Sequence, residues 1–399
     1  MQHAPGSRRP LEGITVVALE QVIAAPFATR QLAELGARVI KIERPDGGDS
    51  ARGYDTTVRG LSSHFVWTNR GKESLTLNVK RPEAMEVMHR LLARADVFIQ
   101  NLAPGAADRL GLGAGALRAR YPRLIVCGIS GYGSSGPYRD KKAYDLLVQC
   151  EAGMLSITGT PDTPSKAGIP VADISGGMYA FSGILAALYR RERTGEGTAF
   201  EASLFDGLSE WMGYPMHFAQ YSGTAPKRTG AKHAAIAPYG PFPTGDGKTV
   251  FLGIQNERDW QRFCARVLEQ PDVAIDARFA NGPARVANRD ALESLIGEVF
   301  ARLTREQAIE RLEAADIANA SMNEIAELVA HPQHEARGRW SRVASPAGPI
   351  DVLAPPLAFA EFEPHLGAIP ALGEHTDAIL AELGYSADGI ARLREAGAV

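Results

Sequence analysis

The chain has 399 residues, 45% of them hydrophobic and 22% charged, with a formal net charge of −3; this is the balance of a folded globular protein with material for a large core. A charge so close to zero gives no general attraction to nucleic acid or to an anionic membrane, so small molecules or a second copy of the chain are the expected partners. The length favours two domains.

The start, Met1 to Pro10, carries Arg8 and Arg9, but no apolar run follows that would suit a signal peptide. No uninterrupted apolar stretch is read as long enough to span a membrane, and a cytoplasmic location is expected. Three cysteines, Cys127, Cys150 and Cys264, lie far apart in apolar surroundings without a Cys-x-x-Cys pair, which predicts buried thiols in a reducing compartment.

Ile14 to Glu20 reads as a strand, residues 26–35 as a helix closed by Gly36, and Arg38 to Glu43 as a second strand. Both strands are continuous apolar runs, as strands covered on two faces tend to be. After Pro82, Ala84, Val87, Met88, Leu91 and Leu92 recur at helical spacing. Strands follow at Val97–Asn101 and Arg123–Ser130, so the first half is expected to form a parallel, Rossmann-like α/β sheet. A long apolar helix is predicted from Tyr179 to about Arg191.

The turn-rich segment Pro238 to Gly247, with its Asp246-Gly247 hairpin signal, precedes an apolar strand at Thr249–Ile254. Trp260, Phe263, Cys264, Val267 and Leu268 share one helical face, and Thr304 with Gln307 forms a capping box. The expected organisation is a large Rossmann-like domain over 1–222, a smaller α+β domain over 223–330, and a segment 331–399 that returns to the first. Its Pro-rich part ends in a helix at Asp377–Leu383.

Gly131-x-Gly133-x-x-Gly136 follows a strand and matches a dinucleotide fingerprint literally, yet Pro137-Tyr-Arg-Asp-Lys-Lys142 comes next and has no helical period. Nicotinamide binding is rejected on that ground. His331 and His334 lack companions at ligand spacing, so no metal site is expected, and Ser175-Gly-Gly lacks the flanks of a nucleophile elbow.

A carboxylate remains. Asp173 follows the short stretch Gly168–Ala172 and stands at a helix start. An acid there is ordinarily a cap. Gly176 and Gly177 are expected to clear space for a large ligand, and the helix N-terminus to keep the carboxylate ionised and nucleophilic.

Several blocks then agree in kind and order: Leu35 to Arg44 with Gly48-Asp49, Asn69 to Ser74, Asn101-Leu-Ala-Pro-Gly105 with Arg109, Gly131-Tyr-Gly, Asp173 with Gly177-Met178, Thr194 to Gly197, and Leu372 to Thr376. Along essentially its whole length the chain resembles the family III CoA-transferases, the carnitine and bile-acid branch. The resemblance implies that Asp173 is the nucleophile that carries an aspartyl-CoA thioester. It implies CoA contacts at Val22, Arg44, Asn101, Leu102, Arg109, Lys142 and Tyr144, with CoA thioesters as substrates, no tightly bound cofactor, and an interlocked homodimer.

The related 2-methylacyl-CoA racemases use a His and Asp pair, and this chain carries Tyr144 where that histidine would stand, beside Asp145. Formyl-CoA:oxalate enzymes carry Gln and Trp where this chain has Ile23 and Tyr54. Lys166 and His233, the latter closing the cationic stretch Lys227 to His233, offer charge for an acid substrate. The expected activity is CoA transfer from a donor such as succinyl-CoA to a C4 or C5 dicarboxylic acid of the itaconate, mesaconate, malate or glutarate type. Racemisation and a non-catalytic acyl-CoA-binding role are the alternatives.

Overall fold

The computed structural model describes residues 9–399; the segment up to residue 8, which begins the stretch read above as no signal peptide, lies outside them. Two compact units emerge. The first comprises the chain up to Gly153, Ala167–Gly213 and Glu335–Val399; the second comprises Met154–Lys166 and Tyr214–His334. The short segment 154–166, expected within the large domain, thus packs with the second unit.

The first unit is built on six parallel strands: β1 (Thr15–Leu19), β2 (Arg38–Glu43), β3 (Lys72–Thr76), β4 (Val97–Gln100), β5 (Ile125–Ser130) and β6 (Ala199–Ser203). They lie in the order β3-β2-β1-β4-β5-β6. That is the doubly wound order, in which the chain winds one way from β1 to β3 and the other way from β4 to β6. Val17, Ile40, Leu75 and Phe98 bury one face of the sheet beneath Val87, Met88 and Leu91 of α2 (Pro82–Leu92).

Between β1 and β2 runs α1 (Ala24–Glu34), buried along Ala25, Ala28 and Leu32 and ended at Gly36, whose φ of +101° a side chain would resist. After β5 the chain forms the loop of Gly131 to Pro137 and reaches α3 (Asp145–Glu151) without a helix at the glycines. Rejection of the dinucleotide fingerprint rests on that same geometry.

Next comes α4 (Val171–Thr194), 24 residues long, with α5 (Leu204–Trp211) after β6. By length and composition α4 could cross a membrane, which corrects the expectation that no stretch is long enough; half of its most apolar window is nevertheless buried inside the fold. It also begins eight residues before Tyr179, because Ser175, Gly176 and Gly177 are helical and buried.

In the second unit β7 (Tyr239–Pro243) and β8 (Thr249–Gly253) form an antiparallel hairpin through Asp246-Gly247, and β9 (Asn319–Ser321) extends it to three strands. Around it lie α6 (Glu257–Arg262), α7 (Arg289–Phe300) and α8 (Arg305–Ala314), the last with both bonds of the Thr304–Gln307 capping box. Trp260, Phe263, Leu292, Ile296 and Phe300 fill its separate core.

The tail belongs to the first unit. β10 (Trp340–Val343) and β11 (Ile350–Leu353) pair antiparallel, and α9 (Thr376–Glu382) and α10 (Ala387–Glu395) cover the β3 side, where the Ser74 N–H donates to His375 at 3.2 Å. Cys127 and Cys264 are buried as expected, but Cys150 is exposed on α3.

Candidate active site

The direction of winding reverses between β1 and β4, and at such a switch point the ligand crevice of a doubly wound sheet lies outside the carboxyl ends of the two strands. Residues from the loops after both strands meet there. Asn101, just after β4, accepts the Gln21 N–H at 2.9 Å and donates its amide to the Gln21 carbonyl at 2.8 Å. Leu102 donates its N–H to the Gln100 side chain at 2.8 Å. Val22, between β1 and α1, holds a φ of +65°, a conformation that a β-branched residue adopts only when its surroundings enforce it.

The remaining residues with an implied CoA contact are mostly cations on exposed loops. Arg44, at the end of β2, donates to the Gly48 carbonyl at 3.2 Å, and Arg109 to the Pro104 carbonyl at 3.4 Å. Lys142 is exposed, and Tyr144 is 72% exposed at the start of α3. Val22, Asn101 and Leu102 therefore stand at the carboxyl ends of β1 and β4, and among the described residues no hydrogen bond joins Arg44, Lys142 or Tyr144 to them.

Sequence reasoning missed a cavity of about 280 Å³ at the carboxyl ends of β4 to β6, lined by Leu102, Asp108, Ser130, Arg139 and Glu201 among others. It also missed the buried charges beneath the crevice. Lys41 lies in β2, fully buried, with its Nζ 2.8 Å from Asp49 and 3.4 Å from Glu20. Lys72 in β3 is likewise buried, 2.6 Å from Glu20 and 3.0 Å from Asn69.

Burial pushes the Lys72 ammonium down to about 7 against the pull of Glu20. Lys41, equally desolvated, is held above its ordinary value because Glu20, Asp49 and Glu43 all face it. A lysine inside an otherwise apolar strand was the available signal.

Asp173 lies in the first turn of α4. Gly177, one turn further on, packs so closely that a Cβ there would stand 2.6 Å from the Ala24 carbonyl oxygen at the start of α1. This ties the beginning of α4 to the beginning of α1, immediately after the Val22 loop. A Cβ at Gly176 would meet Leu204 at 3.1 Å. Both glycines serve helix packing, which corrects the expectation that they clear space for a ligand.

Asp173 is only partly exposed, and no donor among the described residues hydrogen-bonds its oxygens. Burial first, and the nearby charge of Asp145 second, push its carboxyl up to about 7. The helix N-terminus works in the opposite direction and loses, so the expected permanently ionised carboxylate is replaced by one that titrates near neutrality.

The residues singled out for the acid substrate are dispersed. Ile23 is 3% exposed, a core residue at the mouth of α1, while Tyr54 is 51% exposed with its ring edge-on to His64 at 5.5 Å. Asp145 caps α4. Lys166 is exposed in the second unit, as is His233, whose ring stacks on Tyr239 at 5.1 Å and accepts the Ala235 N–H at 3.1 Å. No group of three His, Cys, Asp or Glu side chains suited to a metal ion occurs among the described residues.

Comparison with known proteins adds the lineage. A family model described as CoA-transferase family III matches residues 11–376. A succinate–glutarate CoA-transferase of Agrobacterium fabrum is 36% identical over 96% of this chain and 98% of its own. An acetyl-CoA:oxalate CoA-transferase of Acetobacter aceti is 34% identical over 86% of this chain and 89% of its own. The crystal structure of a CaiB/BaiF family protein from Brucella suis superposes with a TM-score of 0.85 at 35% identity, covering 94% of this chain and all of the other. Since the family match runs from ahead of β1 to the first residue of α9, the chain belongs to CoA-transferase family III and is an enzyme.

Proposed function

We propose that this enzyme moves coenzyme A from an acyl-CoA donor of the succinyl-CoA kind to a C4 or C5 dicarboxylic acid, of the itaconate, mesaconate, malate or glutarate type, through a covalent intermediate on Asp173. The observation that carries the reading is the close seating of Gly177 on Ala24, which keeps a half-buried, otherwise unbonded carboxylate one helical turn from the loop at the crevice.

In its ionised form Asp173 attacks the donor's thioester carbonyl; the C–S bond breaks, CoA leaves as thiolate, and a mixed anhydride remains. The thiolate then attacks the aspartyl carbonyl of that anhydride, releasing the donor acid as carboxylate and leaving an aspartyl-CoA thioester. The acceptor carboxylate repeats both steps in reverse order, ending with acceptor-CoA and free Asp173. Each step exchanges one activated acyl bond for another, so the thioester energy is kept as long as water is excluded.

Exposed Arg44, Arg109 and Lys142 suit the phosphates of CoA, and the apolar surface of Val22 and Leu102 its pantetheine or adenine. Two curated relatives carry dicarboxylates in their names, which supports an acid substrate with a second carboxylate. Ile23 and Tyr54, unlike the oxalate-type residues, favour the longer acids. Tyr144 disfavours racemisation, which would instead incorporate solvent deuterium without any acceptor. The unpaired cysteines accord with a cytoplasmic enzyme, and a homodimer is the assembly expected of it.

Incubation with succinyl-CoA and a panel of mono- and dicarboxylic acids tests the reaction, and the absence of CoA transfer to any of them refutes it. For the intermediate, Asp173→Ala should lose turnover while still binding CoA. A thioester adduct should be found by mass spectrometry on the unmodified protein alone, and normal turnover in the variant would exclude Asp173.

A further inference from the structure

We infer that Asp49 is a positioning residue for acyl-CoA binding, acting through the backbone of Val22. The inference rests on the reading of the Gln21–Ile23 loop as part of the CoA site. That loop is unusual in how completely its backbone is used. Asn101 takes both polar groups of Gln21, and the Val22 N–H is shared by the two oxygens of Asp49 at 2.9 and 3.2 Å.

Asp49 comes from the far side of the loop, 27 residues along the chain, and it is itself immobilised. Its carboxylate accepts the Ala51 N–H at 2.9 Å and the Lys41 ammonium at 2.8 Å, and its own N–H donates to Glu43 at 3.0 Å. Lys41 is fully buried and Asp49 only 4% exposed, so neither charge can relax into water.

Left to itself, a valine would leave the left-handed region, since its branched Cβ crowds the following carbonyl there. The clamp of Asp49 on one side and Asn101 on the other holds the strained shape before any ligand arrives. Ordering the loop in advance spares the ligand that cost, and the benefit falls on binding more than on the chemical step.

The test removes the clamp without stranding a charge. Lys41→Met/Asp49→Leu replaces the buried pair by apolar side chains of similar volume, and Asp49→Asn offers a milder version should the pair variant fail to fold. The expected result is a rise in KM for succinyl-CoA of about tenfold in the pair variant and about threefold in the single one. kcat should stay within about threefold and thermal unfolding should remain cooperative.

An unchanged KM, or a loss confined to kcat, overturns the inference. Amide NMR shifts of residues 21–23 in the unmodified enzyme, with and without CoA, separate the two levels. Unmoved shifts at saturating CoA refute the CoA-site reading itself, and moved shifts combined with an unchanged KM in the pair variant refute the role of Asp49 alone.

Discussion

Oδ1 of Asp145 accepts the backbone N–H of Ala172 at 2.8 Å and that of Asp173 at 3.2 Å, so the carboxylate that caps α4 stands against the carboxylate that α4 displays. Its other oxygen takes the Gln149 side-chain amide at 2.7 Å, which fixes its direction. One side chain therefore does two things: it satisfies orphan donors at a helix start, and it makes ionisation of its neighbour harder.

The first prediction concerns pH. In the proposed reaction Asp173 attacks as the carboxylate, and its carboxyl is pushed up to about 7, so kcat/KM for acyl-CoA should rise with pH through about 7 and level off above it. Asp145→Asn keeps an oxygen for the Ala172 and Asp173 donors and removes the charge. The midpoint should move to lower pH, giving relatively more activity at pH 6, while the amide facing Gln149 costs about 1 kcal/mol of stability. Initial rates between pH 5 and 9 decide it: an unmoved midpoint would show that Asp145 does not act on Asp173 electrostatically.

A second prediction separates two adjacent glycines. At Gly177 an added methyl would meet the Ala24 carbonyl oxygen at 2.6 Å and the Phe27 ring at 3.2 Å, and backbone cannot yield without shifting α1. Gly177→Ala should cost about 1–3 kcal/mol and raise KM for acyl-CoA, because the start of α1 carries the crevice loop. At Gly176 the obstacle is the Leu204 side chain at 3.1 Å, which can turn aside, so Gly176→Ala should cost less than about 1 kcal/mol. Chemical denaturation of the two variants beside the parent gives the comparison, and equal losses would contradict the packing argument.

What could be read from the residues alone was whatever local pattern dictates. The β1-α1-β2 unit announces itself through apolar runs and Gly36, and α2 through its helical spacing after Pro82. β3 did not, because Lys72-Glu73-Ser74 looks like surface; Lys72 and Ser74 are paired inside the fold by Glu20, just after β1, and by Glu43 of β2. The start of α4 was legible at Asp173, but the long helix was expected only from Tyr179, and the role of the glycines between them was hidden because the absent side chains are what let Ala24 and Leu204 approach. The packing of segment 154–166 with the second unit rests on pairings such as Arg228 with the Thr160 carbonyl at 2.8 Å, which no periodicity encodes.

The third prediction is that ionised Asp173 weakens the fold at and above neutral pH. A carboxyl whose folded-state value lies above its ordinary 3.8 binds its proton more tightly in the native than in the unfolded chain, so it lowers stability progressively as pH rises from about 4 to about 7 and fully beyond. The gap sets a ceiling of about 4 kcal/mol, and the partial exposure of Asp173 reduces the expectation to on the order of 2 kcal/mol. Asp173→Asn, neutral at every pH, should therefore unfold at a higher temperature than the parent at pH 8 and at nearly the same temperature at pH 4, while losing transferase activity at both. If the variant is no more stable at pH 8, the side chain at 173 is better solvated than its burial indicates, and its pKa must lie closer to that of an ordinary carboxylate.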